Sequence, residues 1–230
     1  MRRITMRILR LAMTVGVLLA RPVLSSAAEA DAARPAAQVL YSCDFQQAAV
    51  GAVPEDLMVL DGAFVVAAEG DQKFLELPGT PLDQFGVLFG PAAITNVTVQ
   101  ARAYGTNKGR RHPVFGVGIG GAGGFRLMVA PGRGTLDLFR GDTLLASKVF
   151  SWIPGKWTQV VLDLRENGQG QWTARGKAWQ EGGAAPSAWM VSARETNEVS
   201  VGRASIWGSP ISGTPIRFDD LRVTHDPALR

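Results

Sequence analysis

The sequence predicts an all-β fold, an antiparallel two-sheet jelly-roll sandwich, preceded by a signal peptide. Three observations predict it. Beyond its first thirty residues, the 230-residue chain consists of short runs in which apolar and polar residues alternate, as in a strand with one face in a core. Turn-forming residues separate the runs, and 27 Gly and 13 Pro supply many of them. No stretch of that region carries a convincing helical period.

The elements follow in order. Arg2, Arg3, Arg7 and Arg10 make a positive opening, and residues 11–20 (LAMTVGVLLA) are an apolar run too short to span a bilayer. Ala28-Glu29-Ala30 offers small residues for cleavage after Ala30 or after Ala28, so residues 1–30 read as the signal peptide. Arg2-Arg3 raises the twin-arginine route, which the flanking residues fit poorly, and an uncleaved anchor helix is the other alternative. Residues 31–38 (DAARPAAQ) read as a linker, residues 39–224 as one sandwich domain and residues 225–230 as a tail.

Within the domain, strands are expected at 39–45, 63–68, 74–77, 85–89 and 94–104. The last is the clearest, because Val97, Val99, Ala101 and Ala103 alternate with Thr98, Gln100, Arg102 and Tyr104. Further strands are expected at 114–119, 125–129, 136–139 and 144–150, separated by Gly-rich turns. Strands 157–164 and 171–179 face each other across Asn167-Gly168, a hairpin signal. Strands 198–203 and 216–224 close the set.

Charge excludes one class of partner. The formal net charge of +4 belongs to the leader, which holds five of the 24 Lys and Arg and one of the 20 Asp and Glu. The remainder is balanced at 19 against 19, so nothing points to nucleic acid. No second apolar run suggests a membrane span after leader cleavage. The single Cys43 forbids an internal disulfide and reads as a small buried apolar group in the first strand.

Three pieces carry a family resemblance. Cys43-Asp44-Phe45, Val50-Gly51-Ala52-Val53-Pro54 and Gly62-Ala63-Phe64-Val65-Val66 resemble the opening of concanavalin A-like sandwich domains in secreted bacterial proteins. Gly155-Lys156-Trp157, Val160-Val161-Leu162, the run Ala174-Arg175-Gly176-Lys177-Ala178-Trp179 and Pro186-Ser187-Ala188-Trp189 are similar to a stretch of laminin-G-like domains. Phe218-Asp219-Asp220-Leu221-Arg222-Val223 resembles their closing strand. The order is most similar to the sandwich appended to planctomycete proteins with quinoprotein-like propeller repeats, although the sequence itself carries no propeller repeat. Leu57-Met58 stand where the family's opening has a Trp, and Asp220 where its closing strand has an Asn. The resemblance implies the fold and, by analogy alone, carbohydrate or matrix binding.

Candidate sites follow from residue chemistry and from that resemblance. Glucanases of this fold place Glu-x-Asp-x-x-Glu on one strand; Glu69-Gly70-Asp71-Gln72-Lys73-Phe74 lacks the third carboxylate and reads as a turn. His112 and His225 sit in no motif. Related sandwiches tie first strand to last with calcium, which would draw on Asp44, Asp219 and Asp220. Alternation gives Asp219 the face of Leu221 and Val223, so it is expected to point inward and to need either an ion or an Arg and backbone hydrogen bonds. All six Trp lie beyond residue 150. Trp157 is expected in the core, and Trp172 and Trp179 on opposite faces. Trp152, Trp189 and Trp207, near turns or strand ends, are the candidate sugar-stacking platform. Arg110 and Arg111 sit in a basic loop that could hold a sulfate or a uronate carboxylate, or could be a solvated hairpin tip. These readings give an exported, periplasmic or extracellular, non-catalytic module for a polysaccharide or cell-envelope glycan. The alternatives are a structural domain with a protein partner and a divergent glycoside hydrolase.

Overall fold

A computed structural model describes residues 37–226, apart from 94, 169, 197, 198 and 200. The expected signal peptide, most of the linker and residues 227–230 of the tail lie outside the described residues. The described residues belong to one compact unit.

Fifteen strands and no helix make up the described chain. They are β1 (Gln38–Cys43), β2 (Met58–Asp61), β3 (Val65–Glu69), β4 (Gln72–Leu77), β5 (Phe85–Ala93), β6 (Val97–Gly105), β7 (Val114–Ile119) and β8 (Phe125–Ala130). Then come β9 (Thr135–Arg140), β10 (Thr143–Val149), β11 (Thr158–Glu166), β12 (Trp172–Gln180), β13 (Val191–Glu195), β14 (Gly202–Ser209) and β15 (Ile216–His225). An eight-stranded sheet runs β13-β12-β11-β6-β15-β4-β3, with β1 also paired to β15. A seven-stranded sheet runs β10-β9-β8-β7-β14-β5-β2. Every pairing is antiparallel. The expected sandwich is the fold observed.

Alternation builds the core between the sheets. In β6 the four alternate residues Val97, Val99, Ala101 and Ala103 are buried, and in β11 Val160, Leu162 and Leu164 face them. The seven-stranded sheet answers with Phe89, Phe115, Leu127, Leu138 and Ile206, all closed to solvent or nearly so. Burial of each such side chain stabilises by about 1.5–3 kcal/mol, which is how a domain with a single Cys holds together.

Several strands differ from expectation. β2 and β13 were not anticipated; each is short and half-polar, as edge strands are. The strand expected at 198–203 instead runs from Gly202 to Ser209, so Trp207 sits inside a strand rather than at its end.

The largest departure is in β15. Its partners on β6 jump from Asp219↔Arg102 to Arg222↔Gln100, so the strand carries one extra residue there. Asp220 takes that bulge with φ 50°, a left-handed conformation that Asp tolerates better than most residues. The bulge resets parity: Phe218, Leu221 and Val223 point into the core, while Asp219 joins Arg217 and Arg222 on the outer face. The inward orientation expected for Asp219 is therefore corrected. The bulge also separates the two partners of this strand edge, β4 before it and β1 after it.

Candidate functional site

The outer face of the eight-stranded sheet is a ladder of cross-strand rungs fixed by register. One rung runs Arg175, Asp163, Thr98, Thr224. The next runs Lys177, Val161, Gln100, Arg222, Ser42. A third runs Trp179, Gln159, Arg102, Asp219. Beyond it Tyr104 pairs with Arg217, and Arg217 with Glu76. Alternation thus brings residues from separate hairpins onto one surface.

Two adjoining depressions cross this face. One, of about 350 Å³, is lined by Ser42, Gln100, Gln159, Trp179, Asp220 and Arg222. The other, of about 170 Å³, adds Arg102, Trp157 and Glu181 and shares Gln159, Trp179 and Asp220 with the first. Together they form one groove with indole walls and a floor of amides and guanidinium groups.

Three tryptophans meet here. Trp179 is half-buried in β12, with the Lys177 ammonium 5.8 Å from its ring centroid. Trp189 comes from the β12–β13 connection, with the Arg175 guanidinium 4.8 Å and the Lys177 ammonium 5.2 Å from its ring. Trp157, expected in the core, is instead half-buried on the outer face. It packs against Tyr104 and Phe74, with Arg102 4.6 Å from its ring. Its parity explains the correction, since it alternates with the core residue Thr158 and shares a side with Gln159. Trp172 lies in the core and Trp179 outside it, as expected.

Arginines bridge the carboxylates of this face. Asp219 is closed to solvent and takes hydrogen bonds from Arg102 at 2.6 Å, Gln72 at 3.1 Å and the Asp220 amide at 2.8 Å. Burial nevertheless pushes its carboxyl above the ordinary aspartate value, against the pull of Arg102 and the two amide donors. Asp220 pairs with the same Arg102 at 3.0 Å. Asp163 is fully buried and held by Thr98, Arg165 and Arg175.

The three carboxylates considered for calcium have other partners. Asp219 and Asp220 share Arg102, and Asp44 accepts from the Gln46 amide at 3.1 Å. Among the described residues no group of three or more His, Cys, Asp and Glu is arranged to hold a metal. The residues do not fit the oxygen cage calcium requires. The Arg partner weighed for Asp219 is Arg102.

The other expected site residues lie elsewhere. Trp152 plugs the core margin, edge-on to His112 and Phe115, and its Nε1 donates to Thr158 Oγ1 at 3.2 Å. Trp207 lies on the outer face of the seven-stranded sheet, only 8% exposed, under Arg126. Its Nε1 donates to Ser205 Oγ at 2.8 Å. Glycines make room for the ring: a Cβ on Gly86 would stand 2.7 Å from it, and one on Gly118 2.4 Å from Ser205 Oγ. Beside Trp207's cover, a cavity of about 220 Å³ is lined by Arg126, Met128, Arg133 and Phe139 among others. Arg110 and Arg111 are exposed at the tip of the β6–β7 connection, which Lys108 and Arg111 close by mutual backbone hydrogen bonds. Neither is in an ion pair among the described residues. Of the expected platform, only Trp189 comes close, standing beside the groove across Lys177 from Trp179; the sequence reading missed Trp157 and Trp179.

No family model matches this chain, and no curated protein matches it. Solved structures share its fold. The carbohydrate-binding module CBM66 from Bacillus subtilis aligns with a TM-score of 0.52 at 10% identity, covering 73% of this chain and 94% of that one. The catalytic domain of a glycoside hydrolase family 131 protein from Coprinopsis cinerea aligns with a TM-score of 0.55 at 11% identity, covering 83% and 95%. A Bacillus subtilis protein of unknown function with a galectin-like fold aligns with a TM-score of 0.50 at 12% identity, covering 82% and 96%. At these identities the likeness shows the fold, a concanavalin-like sandwich, and nothing finer. Among the described residues no helix is long and apolar enough to cross a membrane.

Proposed function

We propose that this chain is an exported, non-catalytic module that binds a polysaccharide or cell-envelope glycan along the outer groove of its eight-stranded sheet. One observation carries the reading: Trp157 and Trp179 wall a groove whose remaining lining is Gln100, Gln159, Arg102, Arg222, Ser42, Asp220 and Glu181, and Trp189 stands beside it. Sugar rings offer apolar C–H faces and hydroxyl edges. Half-buried indoles suit the first, and amides and guanidinium groups suit the second. The carbohydrate-binding module and the hydrolase domain among the fold neighbours support the reading by analogy. The leader-like residues 1–30 support export to the periplasm or beyond, and the laminin-G-like motifs support a place among secreted bacterial sandwich domains.

The test is binding of the folded protein to a broad glycan and polysaccharide panel, repeated with Trp157→Ala and Trp179→Ala. Truncation of a central aromatic anchor commonly costs about 2 kcal/mol or more, so each variant is expected to bind about 30-fold more weakly. A folded protein that binds no glycan turns the reading toward a structural role with a protein partner.

A further inference from the structure

The groove is uneven in charge. Asp219 and Asp220 are already neutralised by Arg102, Asp163 by Arg165 and Arg175, and Glu69 and Glu76 by Arg217. At and beside the larger depression, Arg222 and Lys177 have no carboxylate partner among the described residues. Arg222 is exposed, lines the larger depression and makes no ion pair. Lys177 donates to the Pro186 carbonyl at 2.9 Å and otherwise meets only the rings of Trp179 and Trp189. Register puts both on one rung, with Val161 and Gln100 between them. Three strand spacings separate their backbones, about 14 Å; Arg222 is long enough to lean inward over Gln100, and Lys177 is too once it exchanges the Pro186 carbonyl for a ligand anion.

One rung further along, about 7 Å away, stand Trp179 and Gln159. The groove then ends at Trp157 and the exposed Glu181. Arg222 and the neighbouring Lys177 therefore lie toward one end, Trp179 in the middle, and Trp157 with the exposed Glu181 at the other. A neutral glycan would use the indoles and leave Arg222 and Lys177 without a role. A chain carrying one anionic group per sugar or per repeat would use both features.

Resting on the glycan reading above, we infer that the ligand is an acidic glycan, with an anionic group held by Arg222 and Lys177 while a neighbouring ring stacks on Trp179. Carboxylate and sulfate share the required chemistry, because both accept charge-assisted hydrogen bonds from guanidinium and ammonium groups. The balanced charge of the chain beyond its leader argues that such binding is local to the rung rather than a general basic attraction.

The experiment measures affinity for four probes: polygalacturonate, its methyl ester, dextran sulfate and dextran. It is run on the natural protein and on Arg222→Gln, Lys177→Gln, Trp179→Ala and, as a surface-charge control, Lys148→Gln. At least one acidic probe is expected to bind about tenfold tighter than its neutral counterpart, and which of the two does so assigns carboxylate or sulfate. Arg222→Gln and Lys177→Gln are each expected to lower that affinity about five- to tenfold, with Lys148→Gln silent. Trp179→Ala is expected to lower binding of acidic and neutral probes alike. Equal binding of acidic and neutral probes, or loss in Lys148→Gln as large as in Arg222→Gln, overturns the acidic-ligand inference and leaves glycan binding standing. A folded protein that binds neither these probes nor any glycan of the wider panel overturns both.

Discussion

The Asp219 carboxylate is buried on the outside of a sheet, covered by Arg102 and Gln72 rather than by the opposite sheet. Its pKa is raised chiefly by desolvation. The folded state therefore holds this proton more tightly than the unfolded chain does. The stability that this linkage contributes is fully present below the unfolded value of 3.8 and is lost as pH rises through the higher folded value. Asp219→Asn removes the titration. Its stability relative to the natural protein should thus move in the variant's favour between pH 3 and pH 7, by about 1.4 kcal/mol for each unit of displacement. Urea unfolding at both pH values checks the sign; movement the other way would mean that Arg102 outweighs desolvation. Cys43 offers a second readout. Burial raises its thiol above the usual value, so alkylation at pH 8 should be several-fold slower in the folded protein than in urea.

Single residues act through the strands that carry them, and the β15 bulge is the sharpest instance. Deleting Asp220 would leave Phe218 and Leu221 two residues apart, the regular strand spacing, with Ile216, Phe218, Leu221 and Val223 all still facing the core. The deletion should therefore keep cooperative unfolding in circular dichroism melts, losing only the Asp220–Arg102 ion pair. Asp220→Val leaves the register alone but puts a β-branched residue at φ 50°, so a loss of about 1–3 kcal/mol is expected. On the other sheet, Gly118→Ala would push a methyl to within 2.4 Å of Ser205 Oγ and 3.0 Å of Trp207 Nε1, for a loss of about 1–3 kcal/mol. These elements also show what the sequence could disclose. The β6 alternation and the β11–β12 hairpin were legible because local pattern and tertiary burial agree. The bulge left one sign, an apolar spacing of three residues between Phe218 and Leu221 where two is the rule. Trp157 left another, a parity shared with Gln159 and Asp163. Size and hydrophobicity favoured a core position for that indole, and Tyr104, Phe74 and Arg102 cover enough of it outside the core instead.

Across the molecule, the sandwich was readable because turn chemistry and strand period are local, whereas the groove was not, because it is assembled by pairing. Trp157, Trp179, Gln100 and Arg222 come from four strands or their ends, and only the order β12-β11-β6-β15 makes them neighbours. The same long-range pairing bears on the expected calcium site. β1 and β15 do become partners, which the resemblance required, but the bulge in β15, facing β6, presents its carboxylates to Arg102. A stabilising calcium site would have to displace that guanidinium and recruit six or more oxygens. Were such a site present, calcium at a hundredfold excess over its dissociation constant would stabilise the fold by about 2.7 kcal/mol, raising the melting temperature by roughly 5–10 °C in a domain of this size. The arrangement observed predicts a change of less than about 1 °C between millimolar calcium and chelator, at the level of measurement error. Arg102→Ala supplies the contrast. It strips both aspartates of their shared cation, so it should destabilise the protein by about 3 kcal/mol or more and leave two uncompensated carboxylates. If calcium were to restore the melting temperature of that variant but not shift that of the natural protein, the guanidinium would be shown to occupy the place that an ion holds in a calcium-tied sandwich.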